Sequence, residues 1–523
     1  MNTKYLFLTF AFLVLLLVGC SSADAAISVP AVPAGARAGE LMGVQDCEYQ
    51  PSGKPTKFSA KCGTLIVSEN WDKSDARLLA LPVVRVLATG TKPAEPIFYL
   101  QGGPGQSNLS WAPPAWLLEK HDVVFVGYRG IDGSVTLACP EVSRLLKAHL
   151  GKDLLSAQAR AEFKVATQAC AAQHQSAGVD LAGYTVPDVI QDLEAARVAL
   201  GYARINLLSE SYGTRVAQLY AYMFPDSLHR LVLIAVNTPG RFIWDPASLD
   251  ERIGYISALC VKDTSCSRRT SNLARTMYDV NRNMPKRWLI FDIDPDTVRY
   301  ATQFMFFDNP NMPLVFDAYL AAAEGDPSGL AMLNLMATIA PVDQLIFGDQ
   351  LSKAGTLDLE KYRELGNVGL GDSIMGAPLT EWIWPLVEEW QIELAPKHLR
   401  EFQSSNVEML LVNGAVDFST PPSALTQTKP YYSNAQFVLL PEFSHIADVM
   451  ETFQPKAFER LVTSYYDTGV ADSGLYTYQP LSFVPSTSLT VIAKLLVSAM
   501  IVVPALLVLG IVFVARRIRR RAF

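Results

Sequence analysis

Residues Ile205 to Phe224 read I-N-L-L-S-E-S-Y-G-T-R-V-A-Q-L-Y-A-Y-M-F. The apolar run Ile205 to Leu208 suits a short buried strand, and the amphipathic stretch after Gly213 suits a helix that stops before Pro225. Only S-x-S-x-G, Ser209 to Gly213, joins them. So sharp a strand-to-helix turn forces its middle residue, Ser211, into a strained backbone conformation that lifts the hydroxyl clear. Strand and helix then lie so close that the residues two before and two after must be small. Gly213 meets that demand fully; Ser209, where glycine is commoner, meets it nearly. Ser211 is the candidate nucleophile, although a lone serine in this place would serve equally as a helix N-cap.

A serine hydroxyl is a weak nucleophile at neutral pH and needs a base, usually a histidine oriented by a buried carboxylate. Two late strands end in suitable groups. Met409 to Val412 runs into Asp417, and Phe437 to Leu440 runs into His445. Of six histidines, only His445 follows these strands; His121, His149, His174, His229 and His398 lie in helical or charged surroundings. Ser211, Asp417 and His445 in that order match the chain order of one known triad arrangement. The oxyanion formed on attack needs two N–H donors. Tyr212, directly after the nucleophile, supplies one. Gly103, in the Gly102-Gly103-Pro104-Gly105 loop after the strand Ile97 to Leu100, is the candidate for the other.

The ends of the chain point to export. Lys4 followed by the apolar run Tyr5 to Val18 reads as a signal peptide. Leu17-Val18-Gly19-Cys20 resembles a lipobox, with Cys20 the lipidated residue; Ala23-Asp24-Ala25 offers ordinary cleavage instead. The lipobox is preferred, because Ser21 and Ser22 suit a lipoprotein tether. Six cysteines remain, Cys47, Cys62, Cys139, Cys170, Cys260 and Cys266, an even number that reads as disulfides in an exported chain. Pairing in sequence order closes the shortest loops. No C-x-x-C occurs, so neither a zinc nor a thioredoxin-type site is expected. Leu495 to Ala515 is an uncharged, mostly apolar stretch long enough to span a bilayer, followed by Arg516, Arg517, Arg519, Arg520 and Arg521. The positive-inside rule puts that tail in the cytoplasm and the rest outside it, with Lys494 snorkelling to the outer interface and Pro504 a possible kink. The expected location is a bacterial cell envelope. A net charge of −7, with no basic stripe before the C-terminus, argues against nucleic acid as a partner.

Strand patterns recur at Gly63 to Val67, Arg77 to Leu87, Ile97 to Leu100, Asp122 to Val126 and Leu231 to Val236, with a helical pattern at Val186 to Leu200. Strands alternating with helices imply an α/β fold with a mostly parallel sheet. From about Gly240 to Arg400 helical and aromatic segments dominate, including Phe304 to Phe307 and Trp382-Ile383-Trp384. The expected organisation is a signal peptide over 1–19, a tether over 20–42, and a first core part over 43–240. A mainly helical cap over 241–401 and a second core part over 402–480 follow. A linker over 481–494, a transmembrane helix over 495–515 and a basic tail over 516–523 complete it.

The G-G-P-G loop, D-V-V-F-V-x-x-R-G with Ser134, S-Y-G-T at the elbow, V-D-F-S-T-P-P around Asp417 and the late S-H resemble the proline iminopeptidase and tripeptidyl aminopeptidase family of α/β-hydrolases. The similarity covers about Cys47 to Tyr466. It implies an exported serine exopeptidase that releases residues from peptide N-termini, with no cofactor, the insertion acting as a cap, and a Cys139–Cys170 disulfide. Three positions depart from the family pattern: Ser209 for glycine, Gly127-Tyr128-Arg129 for D-Q-R, and Glu442-Phe443-Ser444 where a glycine commonly precedes the histidine. An aminopeptidase must hold a free ammonium, for which Glu381, Glu388 and Glu389 are the candidate carboxylates. An esterase or lipase could use the same triad, and a non-catalytic binding protein the same fold.

Overall fold

The computed structural model describes residues 31–342 and 345–520; the signal peptide, Cys20 and the competing cleavage site lie outside the described residues. Eleven strands are present among them: β1 (Leu41–Tyr49), β2 (Phe58–Ser68), β3 (Leu78–Val86), β4 (Ile97–Leu100), β5 (Val123–Val126), β6 (Ile205–Glu210), β7 (Leu228–Ile234), β8 (Arg287–Trp288), β9 (Phe291–Asp292), β10 (Glu408–Gly414) and β11 (Ala435–Leu440). Nine form one sheet in the order β1-β2-β3-β5-β4-β6-β7-β10-β11. From β5 to β11 all neighbours pair in parallel, and β1, β2 and β3 continue the sheet antiparallel.

The central strands are apolar on both faces because helices cover both. Every residue of β4, β5 and β6 is buried. The helix Val186–Ala199, opened by a Thr185/Asp188 capping box, and the helix Tyr212–Met223 pack on this sheet. The edge strand β1 was not expected, and its first two residues fall in the stretch read as tether. Its side chains are mostly exposed and its register shifts between Met42 and Gln45, so no alternation marks it. Pairing with β2 and the Cys47–Cys62 bridge hold it. Disulfides also join Cys139 to Cys170 and Cys260 to Cys266.

Between β7 and β10 the chain is helical, apart from the small β8–β9 hairpin. The first helices of this interval enclose a core of their own, with Met277, Phe306, Val315, Phe316, Leu330 and Leu333 fully buried. The later two, Phe347–Leu365 and Pro378–Glu389, bury Phe347, Trp382, Trp384 and their neighbours in the same cluster as the core helices. This half of the interval is therefore welded to the sheet domain.

The segment 481–494, read as a linker, is docked. Leu481, Phe483, Leu489 and Ala493 are buried in the cap cluster, and the Leu481 N–H donates to Glu442 at 2.6 Å. The terminal helix begins earlier than expected and runs unbroken from Leu489 to Arg519, long and apolar enough to cross a membrane. Lys494 is not free to snorkel: it pairs with Asp326 at 2.6 Å.

Candidate active site

Ser211 stands between β6 and the helix Tyr212–Met223 with φ 48°, in the left-handed region that side chains rarely adopt. Its N–H donates to Ile234 of the next strand at 2.9 Å, which fixes the turn. A Cβ on Gly213 would lie 2.2 Å from the Leu100 carbonyl oxygen, so only glycine fits there. Ser209 is tolerated because its hydroxyl donates to the Val232 carbonyl of β7 at 3.2 Å.

The ends of β10 and β11 bring the other two groups to this turn. His445 Nε2 is 3.0 Å from Ser211 Oγ, and His445 Nδ1 is 2.8 Å from Asp417 Oδ2. Asp417 is fully buried and accepts from the N–H groups of Ser419 and Thr420 at 2.7 and 2.9 Å and from the Thr420 hydroxyl at 2.7 Å. These bonds hold its carboxylate in place and satisfy its charge. Burial alone would lower the His445 pKa; Asp417, with Glu210 and Asp308 behind it, outweighs that and holds the imidazole above its ordinary value.

The Gly102–Gly105 loop passes directly over Ser211. A Cβ on Gly102 would fall 2.9 Å from Ser211 Cβ, and Gly103 has φ 74°. Among the described residues neither the Gly103 nor the Tyr212 N–H donates to another protein group. Both lie on the wall of a cavity of about 250 Å³ that Ser211 and His445 share, closed by Phe242, Trp244, Phe304, Phe307, Ile383 and Trp384.

The other family departures have local explanations. A Cβ at Gly127 would come within 2.7 Å of Asp132 Cβ. The Asp132 carboxylate lies against this segment, accepting from the Tyr128 and Asn108 N–H groups at 2.8 and 3.0 Å. Arg129 is buried against Asp192. Glu442 has φ 58°, the conformation a glycine would take easily, and its carboxylate holds Tyr478 and Leu481.

The structure does not bring Glu381, Glu388 or Glu389 to the cavity. The helix Pro378–Glu389 turns Trp384 and Ile383 toward Ser211 and its carboxylates away. Glu381 pairs with Arg160, Glu388 with Arg363 and Glu389 with Lys164. These are cap-stabilising ion pairs. Two residues of the cavity lining, Asn237 and Gln350, have amide oxygens that are buried and without a partner among the described residues.

Sequence reading also missed Glu210, whose position beside Ser211 was the available signal. It is buried, accepts from Gln101 Nε2 at 2.7 Å, and burial pushes its pKa up to about 7. Asp448 was missed as well. It accepts from the Ser444 N–H at 2.5 Å and braces the His445 loop.

Residues 95–327 match a family model described as the alpha/beta hydrolase fold, a segment that includes Ser211 and ends before Asp417. The chain is 30% identical over 244 residues to a tripeptidyl aminopeptidase of Streptomyces lividans, covering 44% of this chain and 45% of that protein. It is 28% identical over 286 residues to the serine protease Hip1 of Mycobacterium tuberculosis, covering 48% and 51%. A putative hydrolase, YuaR, of Escherichia coli is 26% identical over 228 residues, covering 39% and 43%. The chain thus spans about half the length of the curated relatives it matches. It has the α/β-hydrolase fold and, over that half, is similar to the tripeptidyl aminopeptidases.

Proposed function

We propose that this protein is a serine peptidase, held on the outer side of a bacterial membrane, that releases residues from peptide N-termini through an acyl-enzyme. The observation that carries the reading is the contact chain Ser211 Oγ–His445 Nε2, 3.0 Å, and His445 Nδ1–Asp417 Oδ2, 2.8 Å, at the floor of one cavity.

Ser211 Oγ attacks the scissile carbonyl while His445 Nε2 takes its proton. Asp417 keeps the proton of the neutral imidazole on Nδ1 and stabilises the imidazolium that forms. The N–H groups of Tyr212 and Gly103 receive the oxyanion. His445 then protonates the leaving amine, which departs with the C-terminal part of the peptide. The N-terminal part stays as an ester on Ser211 until water, deprotonated by His445, releases it.

Asn237 and Gln350, whose amide oxygens lack a partner among the described residues, are the side chains that would turn toward the terminal ammonium of such a substrate. Three disulfides and the exposed apolar helix with its arginine tail support an extracytoplasmic, anchored protein. The preceding signal peptide and a lipidated Cys20 belong to the same reading.

A second reading, an esterase, draws support from the aromatic cavity wall, which carries no carboxylate among its described residues. A turnover panel separates the two. Free aminoacyl- and tripeptidyl-nitroanilides should be cleaved and their Nα-acetyl counterparts cleaved poorly. Turnover of nitrophenyl esters alone would end the peptidase reading.

A further inference from the structure

The terminal helix emerges from inside the cap. Leu489, Thr490 and Ala493 are buried, Ser488 donates to Asp317, and Lys494 pairs with Asp326. Apolar side chains from Leu495 onward, among them Met500, Ile501 and Leu506, face open space. No break separates the buried turn from the exposed run, so the cap cannot swing freely about its anchor.

The helix Ser328–Ile339 runs beside this stem in the same sense. Gly329 sits against Thr490, and Ala331, Met332 and Leu335 face Ala493 and Leu496. One turn further along, Met336 and Ile339 are 38% and 70% exposed, level with the start of the open apolar run. Trp288 and Phe291, the two flanks of the β8–β9 hairpin, join the same apolar contact. At the hairpin tip Leu289 and Ile290 are 60% and 70% exposed. Leu289 has φ 51°, a turn conformation that normally selects glycine or asparagine. Lys286 and Arg287 beside the tip are exposed, and Arg287 pairs with Asp292 across the hairpin at 3.0 Å.

We propose that Leu289–Ile290 and the Met336/Ile339 end of its neighbouring helix insert into the lipid interface around the stem, seating the cap on the bilayer. The proposal rests on the reading that Leu489–Arg519 spans a membrane. Given that reading, lipid is the occupant the geometry favours. The patch is continuous with the apolar helix surface and rigidly joined to it, so the medium around residues 495–500 also reaches the tip. A tryptophan at this level and Lys286 beside it suit the headgroup region, where indole rings collect and anionic lipids attract lysine. Isolated exposed apolar residues are ordinary on a soluble surface; four gathered at the foot of a spanning helix are a surface with a partner.

The test places a photoreactive benzoylphenylalanine singly at Ile290, Ile339, Val508 and Val198 in the full-length protein, reconstituted in phosphatidylcholine/phosphatidylglycerol vesicles. Val508 reports the span. Val198, 60% exposed on a core helix, reports water. The expected result is lipid adducts at Ile290 and Ile339 severalfold above Val198, approaching the yield at Val508. Adducts at Val508 with only the Val198 level at Ile290 and Ile339 would overturn the proposal while leaving the span intact. Crosslinks from Ile290 to a second copy or another protein would overturn it too. Absence of lipid adducts at Val508 would remove the spanning reading and the proposal with it.

Discussion

The nucleophile turn and the two loops that face it are held in different ways. The turn is fixed by its neighbouring strands: Ser211 bonds Ile234 and Ser209 bonds Val232, both on β7, and Gly213 lies against Leu100 at the end of β4. The oxyanion and histidine loops lean on the cap. Gly105 donates to Asp349 and accepts from Ile346, both at 3.0 Å, where the helix Phe347–Leu365 begins. The His445 N–H donates to Phe307 at 3.2 Å, and Asn309 binds Ser444 Oγ and the Glu442 carbonyl at 2.9 and 2.6 Å. Sheet residues set Ser211, whereas His445 and the Gly102–Gly105 loop depend on residues of the helical interval between β7 and β10. Cap substitutions should therefore alter the chemistry without moving Ser211.

The largest effect should come from the base itself. Asp417→Asn removes the charge that orients His445, and kcat on an activated ester should fall by about 10⁴-fold, as loss of the triad carboxylate does elsewhere. A fall of less than tenfold would mean that the loop alone orients the imidazole.

Asp349→Asn asks how firmly the cap grips the oxyanion loop. It leaves Lys353, fully buried and bonded to Asp349, without its counter-charge. Denaturant melts should show a loss of about 3–5 kcal/mol, the usual cost of stranding one member of a buried pair. Adding Lys353→Met should recover stability while kcat stays low, because Gly105 still lacks its charged acceptor. Recovery of both would make the pair a stability feature only.

Asn309→Ala loosens the histidine loop by removing the bond to the Glu442 carbonyl, an effect of about 1–3 kcal/mol for a buried group left unsatisfied. It should appear in kcat with KM little changed. A change in Tm alone would show that the loop holds itself through Ser444 and Asp448.

The smallest effect is in the pH profile. Only neutral His445 accepts the serine proton, and its pKa is held above the ordinary value. The acidic limb of kcat/KM should therefore lie above the ordinary histidine range. The Glu210 carboxylate favours the imidazolium, so Glu210→Gln should move that limb to lower pH. No movement would show that Glu210 does not act through His445.

The elbow was legible because strand, small residues and helix are adjacent in the chain. β4 to β7 and β10 were legible because strands covered on both faces are continuous apolar runs, and β11, an edge strand buried only at Leu440, was legible from its apolar run Phe437 to Leu440. Asp417 and His445 followed from the ends of two such runs. The edge strand β1 was not, since an exposed, irregular strand carries little pattern of its own. Asp349 and Lys353 were not, because a buried pair on the helix Phe347–Leu365 reads as an ordinary surface i,i+4 pair until the packing is known. For Glu381, Glu388 and Glu389 the helix was foreseen but its rotation was not. Trp384, between them, faces the cavity, and the carboxylates face Arg160, Arg363 and Lys164. Long-range grips such as Asn309 on the histidine loop leave no local trace.

The account turns on Ser211 being activated by His445. Its most direct test is the intact mass and peptide map of the full-length protein after brief exposure to a fluorophosphonate. A single phosphonyl adduct should appear on Ser211 in the wild type, and none should form in Ser211→Ala or His445→Ala. An unmodified Ser211 in folded protein, or equal labelling of the His445→Ala variant, would contradict it.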